Sequence, residues 1–176
     1  MQRHHLCEVR RSPIHGWGVF ATTFIKAGTR IIEYKGERIS RAEADRRYAR
    51  KLQYTTHTFL FIIDEQTMLD GGRFGNLARY INHACEPNCE SVQDANGRVF
   101  IEALTDIEPG AELTMDYHLQ VVGGDPETWR RDYPCYCGAA TCRGTLVGPR
   151  PGAAAASPAS TQVFTPPKER FHGYRL

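Results

Sequence analysis

Three cysteines within eight residues, Cys135-Tyr136-Cys137-Gly138-Ala139-Ala140-Thr141-Cys142, constrain this chain more than any other stretch. Thiols so close in sequence are badly placed to pair with one another, because a disulfide needs separated Cα atoms and facing Cβ vectors. Thiolates converging on one zinc ion suit such a turn. No apolar run follows the N-terminal Met1-Gln2-Arg3-His4-His5. The expectation is therefore an intracellular, cytoplasmic chain (nuclear or chromosomal in a eukaryote) whose cysteines stay reduced. Metal binding then outranks a disulfide framework. A C-x-C-x4-C knuckle leaves a tetrahedral site one ligand short. Cys7, Cys85 and Cys89 are the remaining cysteines, and spacing alone leaves all three open.

The 176 residues allow one globular domain plus a tail. Hydrophobic residues make up 41% and aromatic residues 10%, enough to close a core and exclude wholesale disorder. A net charge of +2 excludes a histone-like polycation yet permits a local basic patch. No apolar run approaches the roughly 20 residues that span a bilayer, so no membrane partner is expected.

The periodicity is mostly of short strands, at Val19-Phe20-Ala21-Thr22, 30–34, 58–63, 68–70 and 99–103, separated by Gly, Pro and Asn turns. Ser40 is placed to cap a helix running to about Leu52, with Glu43 completing a capping box. A shorter helix is expected from Asn76 to Asn82. From Gly148 to Gln162 the composition turns to Pro, Gly, Ala and Ser and predicts a mobile linker. Val163 to Leu176 reads as a tail, more loose than docked.

Gly16-Trp17-Gly18-Val19-Phe20-Ala21 formally satisfies G-x-G-x-x-A, but Arg10-Arg11-Ser12-Pro13 precedes it and β-branched residues follow. A dinucleotide fingerprint needs a strand before and a helix after. The remaining readings are a plain turn before a strand, or paired glycines that let backbone approach a ligand beside Trp17. His83 sits in the polar cluster Asn82-His83-Ala84-Cys85, and Glu112-Leu113-Thr114-Met115-Asp116-Tyr117 follows a turn at Pro109-Gly110.

In this order, His15-Gly16-Trp17-Gly18-Val19-Phe20, Glu33-Tyr34-Lys35-Gly36-Glu37, Gly75-Asn76 through Asn82-His83-Ala84-Cys85, Glu112 to Tyr117, and Cys135 to Gly144 resemble the SET-domain protein lysine methyltransferases. The resemblance implies a mainly β fold with short helices: small curved sheets, a knot-like C-terminal threading and a zinc-binding post-SET segment. It places a SET domain over residues 6–118 and the post-SET segment over 119–147, with the linker and tail at 148–176.

It also implies roles. Gly16, Trp17, Gly18, Arg79, Asn82 and His83 would line an S-adenosylmethionine pocket, closed by Tyr136 and Leu146. Tyr117 would be the catalytic tyrosine. Tyr34, Phe59, Met115 and Tyr117 would wall the channel for the substrate lysine. Cys85 would join Cys135, Cys137 and Cys142 around one zinc, leaving Cys7 and Cys89 as non-ligands. Met115 stands where the family usually carries Phe or Tyr, Phe59 where many members carry Tyr, and Ala84 where Ser is common. Product multiplicity is therefore open. The implied substrate is an accessible lysine on a histone or another basic nucleic-acid-associated protein. Arg38, Arg41, Arg46, Arg47, Arg50 and Lys51 form either a solvated face or a nucleic-acid contact. Two other classes stay in view: a SET-like binding module with weak turnover, and a zinc-knuckle nucleic-acid binder.

Overall fold

The structure, a computed structural model, describes residues 4–51, 59–121, 125–148 and 163–164. In chain order its elements are β1 (Cys7–Arg11), β2 (Trp17–Ala21), β3 (Arg30–Tyr34), β4 (Glu37–Ser40), α1 (Arg41–Lys51), β5 (Leu60–Ile62) and β6 (Thr67–Asp70). A 3₁₀ turn, Leu77–Tyr80, leads into β7 (Asn82–His83). Then come β8 (Cys89–Gln93), β9 (Val99–Ala103), β10 (Glu112–Met115), β11 (Gln120–Val121), α2 (Pro126–Asp132) and β12 (Val163–Phe164).

Seven strands form one curled sheet in the order β1-β2-β10-β8-β9-β3, with β7 also beside β10. β10 is antiparallel to β2 but parallel to β7 and β8. Its Leu113 and the facing Val19 are both fully buried, as are Cys7, Cys89 and Ile101 around them. Each such side chain contributes roughly 1.5–3 kcal/mol on leaving water, so this sheet carries the main core. A smaller sheet, β4-β6-β5, packs under α1 through Ile39, Ala44, Tyr48, Leu60 and Met68. A third cluster, Leu119, Tyr133 and Val147, anchors the C-terminal segment. Among the described residues no helix is long and apolar enough to cross a membrane.

Ser40 does cap α1, its Oγ accepting from the Glu43 amide at 3.2 Å. The Glu43 carboxylate engages the Arg46 and Arg47 guanidinia. Leu52 lies outside the described residues. The helix expected over Asn76–Asn82 is a single 3₁₀ turn instead. Asn76 has extended backbone and makes no cap; its side chain donates to the Glu33 carbonyl at 2.8 Å and accepts from the Lys35 amide at 3.4 Å. Ile81 is also extended, which lets Asn82 pair with Thr114 and His83 with Met115. Helix α2 was not anticipated, although Asp125 caps it through the Glu127 and Thr128 amides at 3.0 and 2.9 Å and Pro126 opens it. Of the expected linker, 149–162 lies outside the described residues. Within the expected tail, Val163–Phe164 pairs in parallel with Gln120–Val121.

Candidate functional site

A cavity of about 270 Å3 opens where the β1–β2 turn, the 3₁₀ turn, β7 and the end of β10 meet. Gly16, Trp17, Arg79 and Asn82 line it, as do Tyr34, Phe59, Met115 and Tyr117, with Leu146 reaching in from the C-terminal segment. Gly18, His83 and Tyr136 do not. Sequence reasoning did not single out His15, Tyr80, Ile81 or Leu119, which complete the wall. His15, Tyr80 and Ile81 lie within the motifs without a role of their own and Leu119 follows one, so contact in three dimensions is what identifies them.

The β1–β2 turn is shaped by glycine. Gly16 has φ of +50°, which favours glycine, and its turn swings Trp17 onto the rim, where Arg11 stacks on the indole at 4.3 Å. A Cβ at Gly18 would stand 2.2 Å from the Glu112 Oε1, so a side chain there would displace that carboxylate. Ser12 Oγ accepts from the Ile14 and His15 amides at 2.9 and 3.2 Å and donates to the Glu112 Oε2 at 2.9 Å. The Asn82 amide donates to the carbonyls of His15 and Trp17 at 3.1 and 3.0 Å and to Glu112 Oε1 at 2.8 Å.

Two phenols line the cavity. Burial pushes both the Tyr34 and the Tyr117 hydroxyls well above the usual tyrosine range, so each is a neutral donor. Tyr117 donates to the Ile81 carbonyl at 2.9 Å, and Tyr34 to the Phe59 carbonyl at 3.1 Å. Behind Tyr117, its amide donates to His83 Nδ1 at 3.1 Å. Burial lowers the His83 pKa to about 4 despite Asp116 nearby, so the ring is neutral at pH 7 with Nδ1 as the acceptor. Its Nε2 then lies 3.5 Å from the Cys85 sulfur. Arg79 bonds the Tyr80 hydroxyl at 2.6 Å, while its Nε is buried without a partner. A guanidinium on the cavity wall suits a carboxylate-bearing ligand.

Cys85, Cys135, Cys137 and Cys142 bring their sulfurs within 4.8 Å of one another. Four sulfurs about 2.3 Å from a zinc would form a tetrahedron with edges of about 3.8 Å. Cys85 lies 3.8 Å from Cys135 and 3.9 Å from Cys142. Amides from Cys85, Arg143 and Gly144 point at the sulfurs of Cys137, Cys85 and Cys142 at 3.4 to 3.5 Å. The donor set and its geometry therefore fit a tetrahedral zinc. Cys89 and Cys7 are fully buried in the main core, and burial pushes their thiols up to about 12 and about 11. They are inert apolar side chains here. The Arg143 guanidinium grips both Asp116 oxygens at 2.7 and 2.9 Å, fastening the knuckle to the residue before Tyr117.

Three arginines of the basic segment have partners within the fold. Arg47 pairs with Glu37, Glu43 and Asp70, Arg46 with Glu43, and Arg38 donates to the Gly97 carbonyl at 2.7 Å. Arg50 and Lys51 have side chains outside the described set.

Residues 16–118 match the SET-domain family. A protein from Emericella nidulans, described as a histone-lysine N-methyltransferase specific for H3 lysine 4, is 42% identical over 142 residues, 77% of this chain and 11% of its own length. Proteins of the same description from Saccharomyces cerevisiae and Mycosarcoma maydis are 42% and 40% identical, covering 77% and 76% of this chain and 13% and 9% of their own lengths. The chain spans about a tenth of the length of these curated relatives.

Proposed function

The chain belongs to the SET-domain family, and from that premise we propose that it methylates lysine side chains of a histone-like protein tail, using S-adenosylmethionine. The observation that carries this reading is the convergence in one cavity of the Gly16-Trp17 turn, Arg79, Asn82 and the phenols of Tyr34 and Tyr117. When bound, S-adenosylmethionine supplies an electrophilic methyl group. Gly16, Trp17, Arg79, Asn82 and Leu146 would hold it.

The chain's own residues do the rest. Tyr34, Phe59 and Met115 provide apolar walls around the lysine stem. Removing an amine from water disfavours its charged form, so such a channel favours the neutral, nucleophilic lysine. Tyr117 offers a hydroxyl oxygen beside the reacting groups, and its position is fixed from behind by His83. Holding the reactants in line carries much of the rate enhancement in a displacement of this kind. One zinc on Cys85, Cys135, Cys137 and Cys142 would clamp the C-terminal segment, including Leu146, over the cavity.

H3 lysine 4 stands in the names of the relatives, so an H3 tail is the first substrate to test. Transfer of a tritiated methyl group to H3 peptides, with each lysine mapped by mass spectrometry, is the deciding experiment. No transfer to any histone or basic protein by cofactor-bound, zinc-loaded chain would refute the proposal. Cofactor binding with no transfer would favour the weak binding module, a reading that Met115 in place of an aromatic residue keeps alive. For nucleic-acid contact through Arg38–Lys51, Arg38, Arg46 and Arg47 already have partners within the fold. A charged tail in the nucleus or on chromosomes fits the reading of the chain's location.

A further inference from the structure

We infer that Glu112 is the positioning residue of the cofactor loop, an assignment that rests on the methyltransferase reading above. Its two carboxylate oxygens hold both ends of one turn. Oε2 accepts from Ser12, where the turn begins, and Oε1 accepts from Asn82, whose amide also holds the carbonyls of His15 and Trp17 where the turn ends. Three acceptors share the two hydrogens of the Asn82 amide. Gly18 completes the device: without a Cβ, its backbone lets the carboxylate lie against β2, where any side chain would collide with it.

The chemistry requires a carboxylate. Ser12 Oγ already accepts from the Ile14 and His15 amides, so its own proton must go outward to an acceptor. Asn82 likewise presents hydrogens. A group between them has to accept from both sides, which Glu does and Gln cannot. Glu112→Gln sets an amide donor against a donor on one side or the other, whichever way it turns. Glu112 does not itself line the cavity, so its effect passes through the wall residue Asn82 and the turn that carries Gly16 and Trp17.

The experiment uses the full zinc-loaded chain as wild type, Glu112→Gln, Ser12→Ala and the double variant. Calorimetry with S-adenosylmethionine should show about 10-fold weaker binding for Glu112→Gln, the loss expected for one hydrogen bond to a charged group. The KM for the cofactor should rise by the same factor, with kcat at saturating cofactor within about twofold. Ser12→Ala acts on the same bond, so the double variant should be little worse than the weaker single one. Without cofactor, exchange of the Ile14 and His15 amides should quicken in Glu112→Gln. Wild-type affinity and exchange in Glu112→Gln, or a fall in kcat with unchanged KM, would overturn the inference alone. A wild-type chain that binds no S-adenosylmethionine would overturn the reading of the site itself. Should Glu112→Gln fail to fold, Ser12→Ala carries the calorimetry and KM readouts from a partly exposed position, but not the exchange readout, because it also removes the acceptor of the Ile14 and His15 amides.

Discussion

Replacing Tyr117 by Phe removes one oxygen and leaves the ring, so its two consequences can be separated. The hydroxyl donates to the carbonyl of the buried Ile81 at 2.9 Å. Leaving that carbonyl without a donor costs about 1–3 kcal/mol of stability, which lowers the melting temperature by on the order of 5 °C in a domain this size. Turnover should fall much further, by about 10²- to 10⁴-fold, the contribution typical of a positioned catalytic group and equivalent to about 3–5 kcal/mol. Cofactor affinity should change little, because the missing contact matters chiefly in the transition state. Tyr34→Phe is the comparison, since its hydroxyl makes the same kind of bond to the Phe59 carbonyl at 3.1 Å. It should lose similar stability but less rate. Single-turnover methyl transfer, calorimetry and a thermal scan on each variant give the three quantities. A Tyr117→Phe chain that melts lower yet transfers methyl at a near-normal rate would show that the hydroxyl is structural only.

Cys85→Ser should lose the metal and loosen residues 135–147, whereas Cys89→Ser should keep it and lose only core packing; elemental analysis decides, and the opposite pattern would displace Cys85 from the ligand set. Met115→Tyr narrows the cavity at a position only 3% exposed, so mass spectrometry should find fewer methyl groups per lysine, with about 1–3 kcal/mol of strain from overpacking. Gly71→Ala would place its Cβ 2.4 Å from the Tyr34 hydroxyl. The ring must then move into the channel, and methyl transfer should drop while zinc content stays the same.

The motifs were legible because each carries an unusual residue at a fixed spacing: the cysteine knuckle, the glycines around Trp17, and Asn82-His83 before Cys85. The strands at 30–34 and 99–103 were legible for a different reason, their dense β-branched and aromatic pattern. β1 and β8 were hidden, since Cys7–Arg11 and Cys89–Gln93 mix charged and polar residues and owe their pairing to β2 and β9. The 3₁₀ turn was read as a helix because Leu77-Ala78-Arg79-Tyr80 has helical composition, while the pull of Asn76 toward Glu33 is a tertiary contact. Glu112 was read as part of a motif without a role. Its partner Ser12 lies 100 residues away, and no local pattern reports such a pairing.

The placement of β10 between β2 and β8 has a consequence for how the chain is made. Its strand neighbours are complete once residue 93 has left the ribosome, yet the strand that joins them comes from Glu112–Met115. Until then, β2 and β8 each expose an open backbone edge, and such edges invite pairing with other chains. The closing contacts are long-range in sequence, which slows folding in proportion to the loops that must be gathered first. A nascent chain stalled or truncated before residue 112 should therefore aggregate rather than rest as a stable half-domain. The strand that seals the sheet also delivers Tyr117 to the cavity, so closing the sheet and completing that wall of the site are one event.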